Sequence, residues 1–323
     1  MSSYKHFTMA EREQSMVLLA QGKSLRAIAQ ELGRSASTIS RELSRNRNKD
    51  GSYSASAAER KYHARRKRCG RKAKLLADGE MRQYVESKLQ LCWSPDEIAG
   101  RAELENKSFS LSYNTIYRAI EKGVIPKNLR SFLRLKRRKN RKKKKEDKRG
   151  TVQDPVSFHE RPQAAEDRTE LGHFESDTVS GARGTGVLGT HVDRKTGYLV
   201  AFKIPDKKDN AFIYATAEAM KKLPKAMRKT FTVDHGTEFY DHKLLAELTE
   251  MKVYFCDPYS PWQRGSNENT NGLLRQFFPK GASLSDVTDL ELQRVVDLIN
   301  NRPRKRLGYR SPAELLASLL CCT

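Results

Sequence analysis

From residue 172 onward the chain reads as short apolar runs separated by glycine-containing turns, and the order of these runs constrains the fold more than any other feature. "HFESDTVSG", "TGVLGTHVD" and "GYLVAFKI" are strand-like and close enough together to form a meander. "DNAFIYATAEAMKKLP" follows as an amphipathic helix stopped by Pro224. "TFTVD" is a strand, "DHKLLAELTEM" a helix and "KVYFCD" a strand again. Then "DPYSPWQRGSNENTNG" forms a loop that turns into the helix-like run Leu273 to Phe278. Three strands followed by helix, strand, helix, strand predict an α/β domain: a mixed five-stranded sheet with helices packed on it.

In such sheets reactive groups gather at the carboxyl ends of strands. Three acids fit that geography. Asp177 lies within the first strand, Asp234 ends "FTVD" ahead of a His-Gly turn, and Glu268 begins the helix after the last strand. Asp234 and Glu268 are separated by 33 residues. Glu175 shares a strand face with Asp177 and is the reserve for the first position. Asp193, Glu238 and Asp257, each taken alone, read as solvated or structural carboxylates.

The first half has a different character. Residues 1–150 carry 38 Lys and Arg against 16 Asp and Glu, whereas the remainder is nearly neutral within a chain of net charge +23. A basic segment joined to a neutral globular one points to a polyanion, foremost nucleic acid. Over residues 8–46, Thr8 with Glu11 forms a capping-box pattern, Gly22 ends the first helix, and Ile28 and Leu32 share a face of the second. Gly33 breaks that helix. Ser35 or Ser37 caps a third, in which Ile39 and Leu43 share a face. This is helix-turn-helix spacing. Arg26, Arg34, Ser35, Ser37, Thr38, Arg41 and Arg45 are the groups it offers to phosphates and base edges.

A second helix pair follows the basic stretch 59–74. Ser94, Pro95 and Glu97 are start signals for "SPDEIAGRAEL", and "SYNTIYRAIEKG" places Asn114, Thr115 and Arg118 on its outer side. It reads either as a second DNA reader or as a packing and dimerising domain. Residues 130–149 are nearly all basic, and dense like charge keeps such a segment extended and suited to DNA backbone. The predicted organisation is a helix-turn-helix domain over 1–50, a second helical domain over 51–129, a basic linker over 130–165 and the α/β domain over 166–323.

The five cysteines show no CxxC spacing, which argues against a zinc site or a disulfide framework. No apolar run reaches the length of a membrane span, and the first residues lack a secretory apolar core. The expectation is an intracellular protein with no membrane partner.

"GHFESDTV", "DHGTEF", "DPYSPWQRGSNENTNGLLRQFFPKG" and "NNRPRKRLGYRSPAE" resemble, in order and spacing, the blocks of the insertion-sequence-thirty family of bacterial transposases. The wider likeness is to Asp-Asp-Glu transposases and retroviral integrases with ribonuclease-H-like cores. "SLRAIAQELGRSASTISREL" resembles the family's DNA-end reader, so the likeness spans nearly the whole chain. His235 departs from the pattern, where the family more often has Asn. The resemblance implies a transposase that binds terminal inverted repeats, then cuts and joins DNA, with Asp177, Asp234 and Glu268 as catalytic metal ligands. It also implies element ends and target as double-stranded DNA partners, an oligomer of at least two chains, and a bacterial cytoplasmic location at the nucleoid.

The chemistry suits those residue types. In-line phosphodiester cleavage needs charge stabilised on the attacking and leaving oxygens, which two Mg²⁺ ions supply, with Mn²⁺ as a substitute. Mg²⁺ takes hard oxygen ligands, and clustered carboxylates without a cation repel one another. Arg264, Asn267, Asn271 and Arg275 near Glu268 are expected to hold phosphates, and Gly272 to let a DNA backbone come close. Trp262 either packs against the loop, the favoured reading, or stacks on a base. The alternatives are a DNA-binding regulator with a nuclease-like domain and a ribonuclease-H-type nuclease.

Overall fold

The computed structural model describes residues 5–69, 73–134, 152–204, 210–258 and 260–321. They form two compact units, Met1–Ala73 and Lys74–Thr323. The most basic part of the predicted linker, 135–151, lies outside the described residues.

The first unit holds α1 (Met9–Ala20), α2 (Leu25–Glu31), α3 (Ala36–Asn46) and α4 (Ala55–Arg68). Two of its helix starts, at Thr8 and Ser35, are those the sequence predicts. Thr8 and Glu11 close a capping box, and Ser24, Ser35 and Ser54 cap the later helices. Gly22 and Gly33 take positive φ after α1 and α2, where a side chain would be strained. Ile28, Ile39, Leu43 and Leu18 fill the core. The compact unit that holds the helix-turn-helix runs past residue 50. Arg12 of α1 is fully buried and donates to Glu42 of α3 and Glu59 of α4, so α4 is part of the same unit. A buried guanidinium needs such partners, and they come from two other helices.

The second unit begins with helices: α5 (Lys74–Ala77), α6 (Gly79–Gln90), α7 (Pro95–Leu104) and α8 (Tyr113–Glu121), closed by a 3₁₀ turn at Lys127–Phe132. Ser94 and Glu97 make a capping box with Pro95 at the first turn, as predicted. Val85, Leu89, Ile98, Ile116 and Ile120 form the core. This helical part is not a free-standing domain over 51–129. It starts at residue 74 and is fastened to the sheet domain by Arg302 on Glu97 and Arg101 on Glu314. Gly100 lets the Tyr309 ring lie against α7, in space that a Cβ would occupy.

The short α9 (Gln163–Glu166) leads into β1 (His173–Ser180), β2 (Val187–Asp193) and β3 (Leu199–Ile204), then α10 (Ala211–Lys221), β4 (Thr230–Val233), α11 (His242–Thr249) and β5 (Lys252–Phe255). α12 (Gly265–Phe277), α13 (Asp289–Asn300) and α14 (Pro312–Leu320) complete the unit. The sheet order is β3-β2-β1-β4-β5. The first three strands are antiparallel, and β4 and β5 run parallel to β1. This is the mixed five-stranded sheet that the run order predicts, with the arrangement of a ribonuclease-H-like core. Two apolar cores form: Phe174, Phe212, Phe231 and Phe239 in one, Val179, Leu188, Leu273 and Val296 in the other. Phe174 and Val179 fall on opposite parities of β1, as two-sided burial requires.

Candidate active site

Strand register brings two of the predicted acids together. The β1–β4 ladder pairs Glu175 with Thr232. Two residues further on, each strand delivers its aspartate, Asp177 and Asp234, at the same level and on the same face. Arg264 stands between them. Its Nη2 donates to Asp234 Oδ2 at 2.7 Å, the guanidinium lies 3.6 Å from Asp177 Oδ1, and Nη1 donates to the Ser176 carbonyl. Burial raises the Asp177 carboxyl above its usual range, opposed by Arg264 and the Thr178 N–H and reinforced by Asp234 and Glu238. Burial acts to lower Arg264, but Asp177 and Asp234 outweigh it and the guanidinium is raised.

α12 carries the third acid. The helix has no cap from its own preceding residue; instead Glu175 Oε2 accepts from the Asn267 N–H in its first turn. A carboxylate there satisfies an orphan donor and faces the positive end of the helix. Glu175 is fully buried and paired with Arg194. This commitment gives Glu175 a bracing role at the start of α12. Asn267 is likewise buried: Nδ2 donates to the Glu175 carbonyl and Oδ1 accepts from Thr190. Its expected contact with DNA is replaced by this role in the protein.

Asn271 donates to Asp177 Oδ2, and its Oδ1 is buried without a partner among the described residues. Arg275 donates to the Ser180 carbonyl, and its Nη1 is buried and unpartnered among the described residues. Glu268 itself is exposed, one turn after Arg264 and one turn before Gly272. Among the described residues no group of three His, Cys, Asp or Glu side chains is gathered closely enough to hold a metal ion. The strands assemble Asp177 and Asp234, and Glu268 stands outside that pair.

Gly272 is approached by protein, not left open: the Arg134 guanidinium lies against it, in the space a Cβ would take. Trp262 is 74% exposed, so it does not pack against its loop as expected. His235 Nε2 donates to the Cys256 carbonyl just after β5 at 3.0 Å, and the ring lies beside Phe255, fixing the turn after Asp234. Glu238, read from the sequence as a solvated or structural carboxylate, accepts from the Thr178 hydroxyl, and its charge adds to the rise at Asp177.

The predicted DNA-reading groups divide by environment. Arg26, Ser37, Arg41 and Arg45 are exposed in the first unit, and Ser37, Arg41 and Arg45 repeat every four residues along one face of α3. Ser35 is the cap of α3, and Thr38 packs its hydroxyl on Ser35. Arg34 is paired with Glu11 and bonded to the Lys5 and His6 carbonyls. On α8, Asn114 and Arg118 are exposed and Thr115 is half-buried against Ser112.

A helix-turn-helix domain family matches residues 3–46, and an integrase core domain family matches residues 167–261. The chain is 38% identical over 326 residues to the transposase for insertion sequence element IS1086 of Cupriavidus metallidurans, covering 99% of this chain and 96% of that protein. The chain belongs to the IS30 family of insertion-sequence transposases. Transposase InsI for IS30A of Escherichia coli is 37% identical over 321 residues (96% of this chain, 83% of that protein). The transposase for IS4351 of Bacteroides fragilis is 37% identical over 322 residues (98% and 97%). The transposase is thus a DNA-binding polynucleotidyl transferase, and its class of core generally works with divalent metal ions. No helix among its described residues is long and apolar enough to cross a membrane.

Proposed function

We propose that Asp177, Asp234 and Glu268 are the catalytic carboxylates of this transposase and that two Mg²⁺ ions, replaceable by Mn²⁺, act with them. The observation that carries the reading is the convergence of two strand aspartates on one guanidinium, donated by the residue a turn ahead of Glu268. Burial first, and then the charges of Asp234 and Glu238, raise the Asp177 carboxyl against Arg264, and a cation bound there would favour its ionised form. The donors are hard oxygens, and the orphaned Oδ1 of Asn271 adds another beside Asp177. These residues fit a hard divalent cation. When bound, such ions stabilise charge on the attacking and leaving oxygens of a phosphodiester.

The protein's own groups do the rest. Arg264 offsets part of the charge of the Asp pair in the absence of other cations. Arg275, held through Nη2 on the Ser180 carbonyl at the end of β1, adds a cation beside the carboxylates toward which a phosphate is drawn. The exposed Ser37–Arg41–Arg45 face of α3 reads the terminal inverted repeats, with Arg26 on backbone phosphate and α8 adding Asn114, Thr115 and Arg118. Cleavage frees a 3′-hydroxyl at the element end, which then attacks target DNA at the same carboxylates. Pairing two ends calls for at least two chains, and the bacterial nucleoid is where such an enzyme works.

Asp234→Asn tests this reading. The expected result is loss of Mg²⁺-dependent end cleavage and strand transfer with end binding retained. Undiminished strand transfer by that variant overturns it.

A further inference from the structure

The second unit holds another concentration of charge away from the Asp pair. A cavity of about 440 Å³ opens where Arg302–Arg306, Arg134 and the start of α7 face one another. Five cationic side chains line it against two acids, Asp96 and Glu97. Arg302 is paired with Glu97, and Lys305 lies 3.4 Å from Asp96. The other three have no carboxylate partner among the described residues. Arg134 reaches the Asn269 amide oxygen at 3.4 Å, Arg304 the Ile299 carbonyl at 3.1 Å and Arg306 the Lys195 carbonyl at 2.9 Å.

Arg304 is half-buried, and a neutral carbonyl does not compensate its guanidinium for lost water, while Arg134 and Arg306 stand exposed at the rim of the cavity. Burial, with Arg302, Arg306 and Arg134 alongside, brings Arg304 down to about 10, and burial with Arg302 lowers Arg134 as well. An anion in the cavity relieves that repulsion. A planar fork of N–H donors suits a tetrahedral phosphate, which binds two or more guanidiniums at once.

The position of the cavity narrows the choice of anion. Asn269 and Leu273 of α12 line it, and Asn269 directly follows Glu268. Successive residues on a helix are about 100° apart, so the carboxylate site and the basic cavity occupy adjacent faces of α12 with Glu268 at their border. We propose that this cavity seats a backbone phosphate of the DNA strand lying across Glu268, gripped by Arg134, Arg304 and Arg306 without regard to base sequence. The inference rests on the active-site reading above and extends the DNA path from the sheet onto the junction with the helical part.

The test is DNA binding by the full-length protein without divalent metal, measured by fluorescence anisotropy on a duplex of arbitrary sequence over a range of salt. In Arg134→Gln/Arg306→Gln, the slope of log K against log salt is expected to become shallower by about 0.9 for each phosphate no longer neutralised. Arg134→Lys/Arg306→Lys keeps the charge and is expected to retain the wild-type slope. An unchanged slope in a glutamine double variant that melts like wild type overturns the proposal. Should the double variant not fold, Arg306→Gln alone, at an exposed position, gives the same reading. If inorganic phosphate raises the melting temperature of wild type only, while the salt slopes are equal, the cavity takes a free anion and the DNA assignment falls. Asp234→Asn separates the two readings: wild-type slopes in the cavity variants with cleavage still lost in Asp234→Asn remove the cavity proposal alone.

Discussion

Arg264 donates to Asp234 at 2.7 Å while standing 3.6 Å from Asp177, so one guanidinium occupies the ground between the two carboxylates expected to hold metal. A cation entering that ground competes with it. Arg264→Gln is expected to bind Mn²⁺ several-fold more tightly, read by electron paramagnetic resonance titration. The same variant without metal is expected to lose about 1–2 kcal/mol of stability, a buried-pair cost discounted because Asp234 is 41% exposed. Weaker Mn²⁺ binding would show that Arg264 assists the metal.

Glu268 and Glu175 should separate stability from chemistry. Glu268 is exposed, so Glu268→Gln is expected to leave the urea midpoint within the error of measurement. Its strand transfer should fall at least 100-fold, about 2.7 kcal/mol of transition-state stabilisation. Normal strand transfer in Glu268→Gln would remove it from the catalytic set.

Glu175→Ala should do the reverse. It leaves Arg194 buried without its Glu175 partner and takes the acceptor from the first turn of α12. A loss of about 3–5 kcal/mol is expected, seen in equilibrium denaturation. A mild effect on stability with loss of a bound Mn²⁺ would return Glu175 to the role of ligand.

The junction of the helical part with the sheet domain has an acid-sensitive clasp. Arg101 donates to both carboxylate oxygens of Glu314 and, with the Ser311 N–H, holds that carboxyl down at about 2, although burial opposes it. A carboxyl lowered in the folded state contributes stability that is complete above its unfolded value, about 4.3, and is lost as pH falls toward 2. Stability of wild type should therefore decline between about pH 4.5 and 2 more steeply than that of Arg101→Gln, followed by urea midpoints across that window. Parallel profiles would mean that the pair contributes nothing to the folded state.

Gly100→Ala should act at the same junction. In an unconstrained helix the change favours folding by about 1 kcal/mol. Here the new Cβ meets the Tyr309 ring, and overpacking of this kind costs about 1–3 kcal/mol. Faster limited proteolysis between residues 74 and 134 is the expected readout; an unchanged digest would show that Tyr309 moves aside freely.

Much of this architecture is written in local signals. Ser94, Pro95 and Glu97 announce α7, and Thr8 and Glu11 announce α1, because caps act within four residues. Apolar runs and turns give the order of the strands along the chain, and these place Asp177 within β1 and Asp234 just past β4. What local reading misses is the partner across the fold. Glu97 reads as a cap, yet it also anchors Arg302 from 205 residues away. Arg12 looks like a surface arginine of α1, yet it is the buried tie to α3 and α4. Arg264, Asn267 and Asn271 read as DNA contacts because they are polar and close to Glu268, but the helix turns them toward β1. Trp262 and Gly272 fail for the same reason: nothing near either in sequence says what approaches it.

α12 meets the aspartates along one side and the basic cavity along the next, and this leaves its numbering no freedom. Adding or removing one residue inside the helix would swing everything beyond that point by about 100°. Arg264 and Asn271 could then no longer both address the same aspartate pair. Length changes among relatives should therefore collect in the loop before Arg264 or in the segment after Phe278, while the interval from Arg264 through Gln276 stays constant. A gapless stretch of this length is a signature that can be sought in any newly sequenced element without solving its structure.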